Sequence, residues 1–435
     1  MTSCTILSFE SEGYACDVEQ MRGLLVQAKF NLVVSPDTAD VIIFYTPIKG
    51  ENVEFWAMLT ELETKFPHKV KIITGCIPKG EPERIKKYAL VGTRQIHKIV
   101  EAVEESLADN VVQLVSTKEM PPLNLPRVRE FAYTQTIPIM RACLGVCQYC
   151  KSKRKGSPFT SYPIADIVLE VEKAVLLGAK EIVLSTPDAG AYGLDIKKNL
   201  PMLLREIVKL EGDFIVHLGM ISPHFIINCK EDLIPVFKHD KIRKYLHFPI
   251  YSVSSSVLED MGRPYNEEKF LEVITGFRDR FPTLTVETDV LVGHPLESEQ
   301  DFWALQTALR KFNPDIINII EYNPKLRVKK DAQEVVPFSE EEMGRRLKVI
   351  SDMNNNISKL QNERWRDWQG PVLVCRNKEP GIVEARNFAY KPVIISSLLR
   401  IGTVVQVKIV RTTGTELVGE VVKEKKEAEV VEEYN

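Results

Sequence analysis

Three cysteines lie close together in Arg141-Ala-Cys-Leu-Gly-Val-Cys-Gln-Tyr-Cys-Lys151, at Cys143, Cys147 and Cys150. The spacing is Cys-x3-Cys-x2-Cys, with Tyr149 just before the last thiol. Three thiolates on one short loop match three irons of a cubane 4Fe–4S cluster, because soft sulfur ligands suit iron–sulfur chemistry. The fourth iron would keep an open corner for a small chelating ligand. The competing readings are a structural zinc knuckle or plain thiols. Zinc favours four closed ligands in paired spacings, and no His or Cys follows Cys150 for many residues.

A loop of this kind must be carried by a larger scaffold, and the chain has room for one. At 435 residues it is long enough for two to four domains. Its 44% hydrophobic and 27% charged content is that of a globular protein, and no apolar run approaches a membrane span. The net charge of −3 offers no bulk attraction for nucleic acid, so any RNA contact must come from local basic patches. The N-terminus lacks a basic region followed by a long apolar stretch, and eight cysteines without paired secretory spacing fit a reducing compartment. A cytoplasmic protein is the expectation.

Residues 1–108 alternate short apolar runs (Thr5–Phe9, Val41–Tyr45, Val70–Thr74) with amphipathic segments (Val18–Ala28, Val53–Phe66). That alternation predicts a small Rossmann-like α/β domain with a parallel sheet. A proline-bearing linker is expected over 109–130. Residues 131–362 repeat the alternation on a larger scale, with strand candidates Tyr133–Ile139, Glu181–Ser185, Phe214–Gly219, Tyr245–Ile250, Thr285–Val292 and Ile316–Tyr322. Six βα units read as a partial (β/α)6 TIM-like barrel, whose chemistry sits at the C-terminal strand ends. The cysteine loop follows the first of those strands. Residues 363–422 hold short β runs (Val372–Arg376, Gly381–Ala385, Thr403–Val410, Glu416–Val422) that predict a small β-barrel, and 423–435 read as a charged tail.

The cysteine spacing resembles that of radical S-adenosylmethionine (SAM) enzymes. The three-part order is similar to their methylthiotransferase family, and within it to the archaeal and eukaryotic branch acting on N6-threonylcarbamoyladenosine at tRNA position 37. The strings that carry this are Tyr133–Ile139, the cysteine loop, Glu181–Ile196, Leu218–Pro223 and Thr288–Pro295; Ala385–Val393 and Leu417–Val421 resemble an RNA-binding TRAM domain. The resemblance implies that Cys143, Cys147 and Cys150 hold the SAM-coordinating 4Fe–4S cluster. Tyr149 would flank the adenine of SAM, and Ser185, Thr186, Asp188 and Gly190 would lie near its methionyl group. It further implies a tRNA substrate, a small electron-donor protein of ferredoxin or flavodoxin type, and a monomer. Lys151, Lys153, Arg154 and Lys155 are either phosphate contacts or a solvated loop. Arg376, Arg386, Tyr390, Lys391, Lys408 and Arg411 combine cations with an aromatic, as RNA contact requires.

The chain departs from the family at the second, auxiliary cluster. Of its three cysteine positions only Cys76 remains; Ser11 and Pro47 stand at the others, and neither is a good iron ligand. Cys4 opens the first strand, about 17 Å from that strand's functional end at ~3.3 Å per residue. Cys16 adds at most one thiolate to Cys76, and a cubane needs about three. His217, Pro249–Ser255 and Tyr322–Arg327 also differ from the family's strings. The reading is a radical SAM enzyme that methylthiolates tRNA. A paralogue without sulfur insertion and a non-catalytic RNA-binding accessory protein are its rivals.

Overall fold

A computed structural model gives the fold and describes residues 1–9, 15–46, 53–77, 82–116, 118–144, 158–323 and 338–422. The N-terminal domain is a six-stranded parallel sheet in the order Asn31–Leu32, Ser3–Ser8, Val41–Thr46, Val70–Gly75, Ala89–Gly92, Gln113–Leu114. Val41–Thr46 is buried at every position, as a central strand covered on both faces must be. Helices Ala15–Gln27 and Ile99–Leu107 pack on one face, with Met21, Leu25 and Val103 in the core; Val53–Lys65 covers the other with Phe55 and Leu59. Gln113–Leu114 corrects the expected linker: that segment adds the edge strand of this sheet before the chain leaves.

All six expected strands of the central unit form. Ile215–Leu218, Glu181–Ser185 and Thr134–Pro138 make one parallel sheet, and Tyr245–His247, Thr285–Val292 and Ile316–Glu321 make another. The two meet through the Val216–Ile242 bridge and the bond from Ile221 N to His247 O (3.0 Å), giving an open six-stranded barrel. Residues alternate across each strand. Val286, Val290 and Val292 face the helix layer and join the largest hydrophobic core, while Glu287 and Asp289 face the lumen. The long helix Glu340–Glu363 runs from the upper strand ends, where Arg346 meets Glu297 (2.6 Å), to the lower ends, where Ser358 donates to Asp315 O (2.8 Å).

The C-terminal unit is a closed five-stranded barrel in the order Gln369–Glu379, Ile382–Arg386, Pro392–Ile395, Leu417–Val421, Val404–Thr412. Pro392–Ile395 was not expected as a strand. It pairs antiparallel with Ile382–Arg386 and parallel with Leu417–Val421, and its leading proline suits a first strand position. Among the described residues no helix is long and apolar enough to cross a membrane.

Candidate active site

The upper mouth of the central barrel collects the loops that leave the strand C-termini. The first strand ends at Pro138, and Met140–Arg141 then pairs antiparallel with Thr160–Ser161, so the loop carrying the cysteines is closed at its base by a two-residue ladder. Ala142 takes a left-handed conformation (φ 67°), an uncommon one for a residue with a Cβ, and Cys143 follows, exposed at the mouth. Cys147, Cys150 and Tyr149 lie outside the described residues, as do Lys151, Lys153, Arg154 and Lys155. On donor chemistry the set suits a cubane cluster: three thiols, one of them placed at the catalytic end of the barrel.

The second and third strand-end loops are locked together by Asp188. Its carboxylate accepts from Gly190 N (3.2 Å) and Ser222 N (3.1 Å), and it is 1% exposed. Burial pushes its carboxyl up, against the Ser222 hydrogen bonds, the Gly190 amide and the Arg263 charge. A side chain at Gly190 would come within 2.5 Å of Phe225 Cβ, so glycine is required there for packing. Asp188 and Gly190 therefore shape the wall of this mouth, Asp188 by tying two strand-end loops together and Gly190 by leaving room for Phe225. Thr186 Oγ1 accepts from Asp188 N (3.3 Å), while Ser185 ends its strand with its carbonyl bound by Ile139 N (3.1 Å).

The lumen below holds a polar chain that the sequence reading missed. His247 Nε2 meets Asp289 Oδ1 at 2.8 Å; Asn318 Nδ2 donates to Asp289 (2.8 Å) and Glu287 (2.7 Å); Tyr245 donates to Glu287 (2.6 Å). Burial pulls His247 down, but the hydrogen bond and charge of Asp289 outweigh it and leave the imidazole raised. Asp289, opposed by its own burial, is held below the usual carboxylate range by His247 and Asn318. The signal was available in the alternation of Glu287 and Asp289 with Val286, Thr288 and Val290.

The lower mouth is plugged by the C-terminal barrel. Tyr390, itself left-handed (φ 64°), packs on His217 (4.2 Å between ring centroids) and Tyr245 (5.1 Å), with Arg243 and Arg386 against its ring (4.9 and 4.7 Å). Arg243 pairs with Glu181 and donates to Asn387 O (2.7 Å), and Lys244 N donates to Phe388 O (2.9 Å). Burial, with Arg243 and Arg386, holds His217 well below its usual pKa, so this plug contains a neutral ring. Lys391 is 2% exposed and bonds Asp315 (2.8 Å) and Asn362 (2.9 Å). Tyr390 and Lys391 are thus interdomain contacts, correcting their expected RNA-facing role. Arg376 and Arg386 both pair with Glu384 (2.6 and 2.7 Å), Lys408 pairs with Asp367 (3.1 Å), and Arg411 is exposed.

In the N-terminal domain Cys76 follows its strand, 8% exposed, its carbonyl accepting from Thr46 Oγ1 (2.6 Å). Burial pushes the thiols of Cys4 and Cys16 up to about 12. Ser11 and Pro47 lie outside the described residues. Among the described residues no three His, Cys, Asp or Glu groups converge on a metal site. Among the described residues the N-terminal thiols do not gather the three ligands that a second cluster needs.

A partial parallel barrel whose first strand leads in sequence into three closely spaced cysteines defines a radical SAM protein, and residues 137–309 match the Radical SAM superfamily. The fold resembles the radical SAM methyltransferase TsrM from Kitasatospora setae, with a TM-score of 0.54 and 13% identity over 73% of each chain. The chain is 31% identical to a "Probable threonylcarbamoyladenosine tRNA methylthiotransferase" of Pyrococcus abyssi, covering 94% of this chain and 98% of that one. It is 34% identical to the Drosophila melanogaster threonylcarbamoyladenosine tRNA methylthiotransferase over 58% of this chain and 48% of that one. The chain belongs to the threonylcarbamoyladenosine tRNA methylthiotransferase family.

Proposed function

We propose that this protein is a radical SAM enzyme that methylthiolates N6-threonylcarbamoyladenosine at position 37 of tRNA. The observation that carries this is the full-length relationship to enzymes of that name, joined to a cysteine loop held at the C-terminal mouth of the barrel. When bound, the 4Fe–4S cluster supplies one electron for reductive cleavage of SAM to a 5′-deoxyadenosyl radical. Cys143, Cys147 and Cys150 would hold that cluster. The Asp188–Ser222 tie fixes the wall beside it, and the Tyr390 plug keeps water from entering the lumen from below. The target base must leave its loop stack to reach the mouth. The exposed Arg411, with Arg376 and Lys408 at the surface of the C-terminal barrel, supplies cations for the RNA backbone. Reduction comes from a small ferredoxin- or flavodoxin-type protein, and the enzyme works as a cytoplasmic monomer.

The N-terminal donor set favours a second reading in part: the radical is made here, while sulfur comes from a donor other than a protein-held second cluster. Anaerobic reconstitution with an iron count and mass spectrometry of tRNA nucleosides tests both. About four irons per chain and a 2-methylthio nucleoside that disappears without the gene support the proposal. Near eight irons would restore the auxiliary site, and an unchanged nucleoside profile would leave only radical formation.

A further inference from the structure

Both stems of the cysteine loop are gripped from the N-terminal domain. At the entry stem, Arg141 lays its guanidinium on Asp17 in a two-pronged pair, Nη1 to Oδ2 at 2.9 Å and Nη2 to Oδ1 at 2.6 Å. The side chains are 11% and 3% exposed. Tyr45 also donates to Asp17 (2.8 Å), and Arg141 Nε reaches Tyr162 (3.4 Å). Only Ala142 separates Arg141 from Cys143. At the exit stem, Arg94 donates to Pro158 O (2.6 Å) and Thr160 Oγ1 (2.8 Å), with a third bond to Glu119 O (2.9 Å). Arg94 is 5% exposed. Paired guanidinium–carboxylate contacts fix direction as well as distance, and a shielded one keeps its strength.

The remainder of this interface shows what simple docking looks like. Arg127 pairs with Glu170 (2.7 Å) on the helix Ile164–Leu176 and donates to Thr136 O (3.1 Å), away from the loop. The Asp17 and Arg94 contacts instead fall on the two short segments that bracket the three thiols. We propose that Asp17 and Arg94 are positioning residues for the radical-forming cluster, and that the N-terminal domain serves as a clamp setting the orientation of the cysteine loop. This role needs no second cluster, so it holds with Cys76 as the single cysteine at the three positions where the family keeps its auxiliary ligands. It rests on the family reading for the cluster alone and is independent of where the sulfur comes from.

The test uses the full chain with Asp17→Asn, Arg94→Gln and, as an interface control, Arg127→Lys. In protein not yet loaded with iron, hydrogen exchange at amides 140–144 should quicken about tenfold or more in Asp17→Asn, and at 158–161 in Arg94→Gln, with Arg127→Lys leaving both segments unchanged. After reconstitution, the first two should shift the electron paramagnetic resonance of the reduced, SAM-bound cluster. They should also raise 5′-deoxyadenosine released per modified nucleoside about tenfold, because a misplacement near 1 Å uncouples radical from target. Equal effects in Arg127→Lys, or stems that exchange as in the unsubstituted chain, would overturn the clamp. Should Asp17→Asn fail to fold, Arg94→Gln tests the other stem by itself. An unsubstituted protein that makes no methylthio product would refute the proposed function while leaving the exchange result standing.

Discussion

The two mouths of the central barrel are shaped by different physics. The upper one, where Cys143 stands, is bordered by short turns held by forked ion pairs and single hydrogen bonds, including Arg141–Asp17 and Arg94–Thr160. The lower one is filled by stacked rings and buried ions, with Tyr390 on His217 and Lys391 on Asp315. Directional polar contacts aim a loop without filling space; aromatic packing fills space and excludes water. The comparison teaches that one end of this barrel is built for placement and the other for closure.

Substitutions can break that comparison at either end. The largest effect belongs to the upper mouth: Cys143→Ser should abolish reductive SAM cleavage and lose the iron of the reconstituted protein, while the urea midpoint of the iron-free chain stays put. At the lower mouth Lys391→Ala should cost about 3 kcal/mol of stability, because it strips one cation from buried Asp315 and leaves a gap. Urea unfolding checks this, and deoxyadenosine formation per folded molecule should not change.

The lumen between the mouths sharpens the picture through pH. Burial draws His247 down, yet Asp289 leaves it raised above 6.5, so its contribution is complete below that pH and is lost as pH climbs through the raised value. Asp289 stays ionised across that window, being held below the usual range. Between pH 6 and 9 the native protein should lose stability that His247→Gln does not lose, read by denaturant titration at each pH. The smallest effect is at the surface. Arg411→Ala should leave the melting temperature alone and make the slope of log K against log salt concentration for tRNA binding shallower by about 0.7–0.9.

Much of the fold could be read from local pattern. Thr285–Val292 and Ile316–Glu321 announce themselves as apolar runs because parallel strands are covered on both sides. Pro392–Ile395 was missed because four residues led by proline carry no strand signature until their partners are known. The cysteine loop was legible since metal chemistry demands residue types at tight spacing. Tyr390 and Lys391 misled for the opposite reason. An aromatic between cations has one composition whether it faces RNA or a neighbouring domain, and only the docking onto Arg243 and Asp315 tells them apart. Asp17 and Arg94 were invisible as partners because Arg141 and Thr160 are far from them along the chain.

The helix Glu340–Glu363 acts as a ruler. At 1.5 Å per residue its 24 residues measure about 36 Å, running past the upper strand ends at Arg346 and down to the C-terminal barrel, where Asn362 meets Lys391 and Thr413. If the C-terminal barrel holds the RNA backbone as proposed, a nucleic acid that also offers a base to the upper mouth would lie along the flank of the protein as an extended body. Short oligonucleotides would then reach one end only, and would bind more weakly than a whole tRNA.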